Sequence, residues 1–255
     1  MKIDVLGCGS AFSRWQNTSA LRVIDNHHQW LIDCGPTIPR ALWQRGGDIN
    51  DIDAIFFTHV HPDHCTGLTA LLNYWKSFAR HKPLIIYSQP EQRAVLMQLA
   101  ELANWPATSL TFTLEWRDSS PRWNWQHWQI QTAPTQHEMA NQAIRIDIGQ
   151  NSLFYSGDGR PTPESIALMP GSQLAFQECA SLTALAHGAS HGDFPGCLAL
   201  FEELALPRLG LYHCNDAILP ALKQACLPYP GLFVSEDGLQ YDFPQQQFFH
   251  LESPL

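Results

Sequence analysis

The 255 residues exceed the usual size of one domain, although layered α/β proteins of this length form single units. An apolar share of 45% with only 15% charged residues suits a chain that buries a large core. The formal net charge of −9 argues against a general nucleic-acid binder, which needs Lys and Arg to neutralise phosphates.

The seven cysteines (Cys8, Cys34, Cys65, Cys179, Cys197, Cys214 and Cys226) are odd in number and include no CxxC pair. They indicate neither a disulfide framework nor a thiolate zinc site, so reduced thiols and a cytoplasmic location are expected. Asp4 interrupts the apolar opening, which counts against a signal peptide. No apolar run approaches the ~18 residues of a membrane span, so a soluble protein is expected.

In chain order, Ile3 to Leu6 reads as a strand ending at the turn Gly7-Cys8-Gly9-Ser10. Ala20 to Ile24 and Gln29 to Ile32 read as a hairpin whose turn carries His27 and His28, exposed rather than ligating. A helix with Pro39 in its first turn runs to Arg45, followed by the apolar strand Ile52 to Phe57. Leu68, Leu71, Leu72, Trp75 and Phe78 have helical spacing within Gly67 to Arg80. Leu84 to Tyr87 is a strand, and Ser88 caps a helix that opens at Pro90 and continues through Leu102. Further strands are expected at Leu110 to Leu114, Trp128 to Thr132, Ala143 to Ile148, Ser152 to Tyr155, Gln173 to Phe176 and Arg208 to Tyr212. Helices are expected at Pro163 to Met169, Phe194 to Leu204 and Ile218 to Cys226. Gly231 to Phe243 holds two short strands, and the tail after about 244 is uncommitted. This order suggests two mixed βα halves in a single domain over 1–255, with sheets inside and helices outside. Trp105, Trp116, Trp123, Trp125 and Trp128 crowd one region, either as core packing or as an aromatic wall near a substrate.

Directly after the strand Ile52 to Phe57 comes His59-Val60-His61-Pro62-Asp63-His64, on the loop leaving that strand. Neutral imidazole and carboxylate are ligands for zinc, manganese or iron, and four such groups this close form a metal cluster. A metal centre needs ligands from elsewhere, and three candidates stand just past predicted strands: His137, Asp158 and His213.

Together these residues resemble the metallo-β-lactamase superfamily: Asp33 in Leu-Ile-Asp-Cys-Gly, the His59-x-His61-x-Asp63-His64 signature, then His137, Asp158 and His213. The resemblance implies an α/β (α+β) fold, the four-layer αβ/βα sandwich. It also implies one metal on His59, His61 and His137, another on Asp63, His64 and His213, and Asp158 between them. Asp33 would stand behind the ligands, accepting an imidazole N–H. Oxygen-reducing relatives carry Glu at the position of His61, so hydrolysis is the implied chemistry.

Gln177-Glu178-Cys179-Ala180 and Ala189-Ser190-His191-Gly192 resemble the Glu and His loops of the ribonuclease Z-like phosphodiesterase branch. His187 competes with His191, but Ser190-His191-Gly192-Asp193-Phe194 leads into a helix as in the family pattern. The transfer-RNA-processing members carry a long arm between the equivalents of His137 and Asp158, where this chain has 20 residues, so tRNA is not the expected substrate. The short spacing is shared with phosphoribosyl cyclic phosphate phosphodiesterases, whose cysteine-rich extra zinc site this chain lacks. The implied activity is hydrolysis of a small or cyclic phosphodiester by a metal-bridging hydroxide. Catalytic roles fall to His191 as general acid, Glu178 holding it, and Asp63 orienting the nucleophile. Two divalent ions are required, zinc first and manganese second. Arg160 is either a phosphate contact or a surface residue. The alternatives are hydrolysis of a lactone, thioester or β-lactam, and a non-catalytic metal-binding protein of the same fold. Oligomeric state is unreadable from the sequence.

Overall fold

In the computed structural model, which describes residues 1–107 and 109–250, the apolar runs of the first half become strands of an eight-stranded sheet. Strands β1 (Lys2–Gly7), β2 (Ala20–Asp25) and β3 (His28–Ile32) pair antiparallel. From β3 the sheet continues in parallel through β4 (Ile52–Phe56), β5 (Leu84–Ser88) and β6 (Leu114–Asp118). Strands β14 (Leu239–Asp242) and β15 (Gln247–His250) extend it on the other side of β1. Helices α1 (Ile38–Arg45), α2 (Pro62–Cys65), α3 (Gly67–Ser77) and α4 (Arg93–Leu102) belong to the same unit. Its core joins Leu31 and Ile55 of the sheet to Leu68, Leu72 and Trp75 of α3 and Leu96 of α4, all buried.

A second unit, Phe12–Trp15 with Ser120–Glu236, holds a seven-stranded sheet. Here β7 (Arg122–Trp125), β8 (Trp128–Thr135), β9 (Asn141–Ile148) and β10 (Asn151–Tyr155) are antiparallel. Next come β11 (Leu174–Glu178), β12 (Leu209–Tyr212) and β13 (Leu232–Val234), parallel to β10. Helices α5 (Pro163–Ile166), α6 (Phe194–Glu203) and α7 (Leu219–Cys226) complete the unit, with Leu200 and Leu222 buried among strand residues such as Phe154, Leu209 and Leu211. In each unit, parallel strands bring successive carboxyl ends to one sheet edge, where α/β proteins hold ligands.

Several expected elements shift. His61 caps a one-turn helix, so Asp63 and His64 sit on α2 rather than on an extended loop. Pro62 at its first position presets the helical φ. Ser88 ends β5 instead of capping a helix, and a 3₁₀ turn over Pro90–Gln92 precedes α4. The strand expected at Leu110 to Leu114 begins at Leu114. The preceding residues wrap a buried guanidinium: Thr111 Oγ1 donates to the Arg80 carbonyl at 2.9 Å and Phe112 lies 5.3 Å from the Arg80 guanidinium carbon. The helix expected to reach Met169 stops at Ile166. Strand β7 and the edge strand β15 have no counterpart in the sequence reading; the polar–apolar alternation of β7 runs for only four residues, and β15 has no buried face to impose alternation.

The crowded tryptophans divide between the two units. Trp125 and Trp128 are buried edge-to-face at 5.2 Å in the second unit. Trp105 and Trp116 line a cavity of about 490 Å³ in the first. Among the described residues, no helix is long and apolar enough to cross a membrane.

Candidate functional site

In the first unit the candidate residues gather at the carboxyl ends of β3 and β4. Asp33 follows β3 in a left-handed conformation, φ 63°, which turns its carboxylate away from the strand direction. Its Oδ2 accepts from His64 Nδ1 at 2.8 Å, and both side chains are fully buried. A carboxylate cannot donate, so His64 Nδ1 carries the proton and Nε2 holds a lone pair. Thr58 Oγ1 donates to Asp33 at 2.9 Å and lies 3.0 Å from His59 Nδ1. With its one proton given to Asp33, that hydroxyl accepts from His59 Nδ1–H and leaves His59 Nε2 as a lone pair too. His61 Nδ1 stands 3.0 Å from this Nε2. One carboxylate thus sets the tautomer of two histidines. Burial pushes the Asp33 carboxyl above its usual range, and the hydrogen bonds it accepts from His64 and Thr58 oppose this in part.

Two glycines permit this packing. A Cβ on Gly35 would lie 1.7 Å from the Asp63 carbonyl, and one on Gly67 would lie 2.0 Å from the Gly35 carbonyl. Cys34 N–H donates to the His64 carbonyl at 2.7 Å across this close approach.

In the second unit, Asp158 follows β10, Glu178 ends β11 and His213 follows β12, at the ends of three neighbouring parallel strands. His213 also adopts the left-handed region, φ 56°, and its Nε2 lies 3.3 Å from Asp158 Oδ2. His137, two residues past β8, donates Nδ1–H to the Ser190 carbonyl at 3.0 Å, which leaves the ring lone pair on Nε2. Glu178 is fully buried: Oε2 accepts from Gly159 N at 3.0 Å and Gly192 N at 2.9 Å. Its Oε1 accepts from His191 Nδ1 at 2.7 Å. That bond stabilises the imidazolium and pushes the His191 pKa above 6.5, against the opposing effect of partial burial. Ligand atoms of Glu178, His191 and His213 lie within 4.8 Å of one another. His187 is exposed, and His191 is the histidine bonded to Glu178.

Arg160 is committed elsewhere. It bonds Asp193 Oδ2 at 2.6 Å and the Ala186 carbonyl at 2.8 Å, while Asp193 Oδ1 caps α6 at Gly196 N. Through these bonds Arg160 ties down the loop carrying His191. The sequence reading also missed three supporting groups. Asn141 holds the Asp158 backbone, donating to its carbonyl at 2.7 Å and accepting from its N–H at 3.2 Å. Thr58 relays Asp33 to His59, and Ser190 orients His137. Only the adjacency of Thr58 and Ser190 to histidines signalled them.

The donor chemistry fits divalent cations. Imidazole nitrogens whose opposite ring positions are tied to a carboxylate, a hydroxyl or a carbonyl are the form in which histidine binds metal. The 3.0 Å between His59 Nε2 and His61 Nδ1 suits two donors to one small cation, given bonds of about 2.0–2.1 Å each.

The model of the anti-Pycsar protein Apyc1 family matches residues 1–226. The chain belongs to that family. An anti-Pycsar protein Apyc1 from Bacillus phage 010DV004 is 28% identical over 235 residues, spanning 85% of this chain and 90% of the relative. The structure is similar to the metallo-β-lactamase fold protein YhfI from Bacillus subtilis, with a TM-score of 0.81 and 19% identity over 94% of this chain and 98% of the other. It is also similar to the short form of human tRNase Z, with a TM-score of 0.77 and 18% identity over 96% and 100%. This Apyc1-family member therefore has the metallo-β-lactamase fold, as the motifs implied, and is a hydrolase with clustered His and Asp donors for divalent metal.

Proposed function

We propose that the protein hydrolyses a small or cyclic phosphodiester with two divalent ions and with His191 as general acid. In this reading His59, His61 and His137 hold one ion, Asp63, His64 and His213 hold the other, and Asp158 serves both. Bound there, the ions supply Lewis acidity toward phosphoryl oxygens and ionised water at neutral pH. Zinc suits the imidazole-rich donors, and manganese would suit the carboxylates.

The observation that carries the reading is the bond between Glu178 and His191. Hydrolysis of a carbonyl compound does not strictly require an imidazole acid, whereas expelling an alkoxide from phosphorus does benefit from one. Glu178 holds Nδ1–H, so the proton on Nε2 is the one His191 gives to the departing oxygen. Two backbone N–H groups on the far oxygen of Glu178 keep the pair from rotating. Asp63 orients the attacking water. The 20 residues between His137 and Asp158 are occupied by β9, β10 and their turns, which leaves no long arm for tRNA. The net charge of −9 supports a small substrate as well.

A metal-quantified activity screen tests the reading, with an alkyl phosphodiester, a cyclic nucleoside phosphate, a lactone, a thioester and a precursor tRNA as substrates. Turnover of the phosphodiesters is expected, with a loss of about 10²–10⁴-fold in kcat for His191→Ala at unchanged metal content. Lactone or thioester turnover that survives in His191→Ala, without phosphodiester turnover in the wild type, would sink it.

A further inference from the structure

The segment from Ser181 to His191 carries the proposed acid, yet none of its side chains is buried. Apolar packing contributes little to its conformation, so polar contacts have to hold it. Its base is closed where Phe194 N–H donates to the Ser181 carbonyl at 2.8 Å. Asp193, itself buried, accepts from Leu185 N–H at 3.0 Å through Oδ2 and from Gly196 N–H at 2.9 Å through Oδ1, at the start of α6.

Further fastenings reach the segment from outside. Gln136 Nε2 donates to the Ala189 carbonyl at 3.0 Å. Arg160 bridges two points of the loop, with Nη2 donating to Asp193 Oδ2 at 2.6 Å and Nη1 to the Ala186 carbonyl at 2.8 Å. The backbones of these two residues are paired, since Gln136 N–H donates to the Arg160 carbonyl at 2.9 Å and Arg160 N–H to the Gln136 carbonyl at 3.0 Å. Gln136 precedes the candidate ligand His137, and Arg160 stands two residues after the candidate ligand Asp158. One guanidinium thus ties the loop of the acid to the segments that carry two metal-ligand candidates. Glu178 fixes the His191 ring at Nδ1 alone, and 34% of the His191 side chain is exposed, so the backbone beneath it sets where Nε2 points.

We infer that Arg160 is a positioning residue, which by bridging Asp193 and Ala186 holds His191 where it can protonate the departing oxygen. The inference rests on the phosphodiesterase reading and adds to it a residue that acts through His191 without touching substrate. A displacement of about 1 Å at such a group is enough to cost roughly 10²-fold in rate.

The test compares Arg160→Ala with wild type on two substrates. An alkyl phosphodiester needs its alkoxide protonated on departure, whereas a 4-nitrophenyl phosphodiester releases a stable phenolate. On the alkyl ester kcat should fall roughly 10²-fold with KM within about twofold, and on the nitrophenyl ester kcat should fall no more than about threefold. In a His191→Ala background, Arg160→Ala should cost less than about twofold, because residues that act as a unit are not additive. Amide hydrogen exchange should quicken at Leu185 and Gly192 by about tenfold or more, with β11 unchanged. Arg160→Gln, closer in size, carries the same comparisons if Arg160→Ala does not fold.

Equal losses on both esters with a raised KM would make Arg160 a phosphate contact and overturn the inference. So would additive losses in the double variant, or unchanged exchange at Leu185 and Gly192. If the wild type turns over no phosphodiester but exchange quickens in the loop alone, the holding role of Arg160 stands and the activity reading fails.

Discussion

Glu178 carries the sharpest residue-scale consequence, because a fully buried carboxylate is matched there to three donors: His191 Nδ1, Gly159 N and Gly192 N. Its bond to His191 favours the imidazolium, so the His191 pKa is raised in the folded protein above the 6.5 of an ordinary imidazole. The interaction is complete below pH 6.5 and is lost as pH rises through the raised value. The alkaline limb of kcat against pH should therefore lie above 6.5 for a substrate with an alkoxide leaving group. Glu178→Gln keeps a hydrogen-bond acceptor but removes the charge, so that limb should move to lower pH and kcat at pH 8 should drop about tenfold or more. A limb that stays in place in Glu178→Gln would remove His191 from the protonation step. The identities of Glu178 and His191 were legible in the sequence. The backbone donors to Glu178 were not, because Gly159 and Gly192 come from segments 19 residues before and 14 after it.

Among the elements, α3 shows how a local pattern can overrun its helix. Apolar spacing continues to Phe78 and predicts a helix to Arg80, yet α3 ends at Ser77. Ala79 takes a left-handed φ of 59°, its N–H bonds the Lys76 carbonyl at 3.1 Å, and Arg80 N–H bonds the Trp75 carbonyl at 2.8 Å. These are the two hydrogen bonds of a Schellman cap. What holds Ala at a position that favours glycine is the Arg80 side chain beyond it. Fully buried, it donates to the carbonyls of Ile49, Ile52, Lys82 and Pro83 and lies 4.6 Å over the Trp75 ring. Burial lowers its pKa to about 10, which leaves it cationic at neutral pH. Arg80→Met would leave buried carbonyls without donors and should cost about 3 kcal/mol in urea unfolding, with α3 frayed at its C-terminus. A loss under about 1 kcal/mol would show that water replaces the guanidinium. Strand β6 depends on the same residue, since Thr111 and Phe112 wrap Arg80 instead of extending the ladder. Neither effect has a sequence signature, because an Arg buried by distant carbonyls reads like any surface Arg.

At the scale of the molecule, the proposed ions should couple function to stability. Ions bound by the native chain alone, at about a thousandfold excess over Kd, contribute roughly 4 kcal/mol. For domains of this size each kcal/mol shifts Tm by about 2–4 °C. Chelation should therefore lower the calorimetric Tm by roughly 8–16 °C, and zinc should restore it. Identical melting of chelated and zinc-loaded protein would sink the metal assignment. The amino-acid sequence was sufficient for the strands that carry the site, the donor types at their ends and the metallo-β-lactamase fold, because hydrophobic period and short motifs are written within windows of a few residues. It could not supply the hydrogen-bond partners that turn donor types into a usable site. Asp33 lies 31 residues from His64, Ser190 lies 53 from His137, and Asp193 lies 33 from Arg160. Those pairs exist because parallel strands return their carboxyl ends to one edge, and that return sets which imidazole nitrogen keeps its proton.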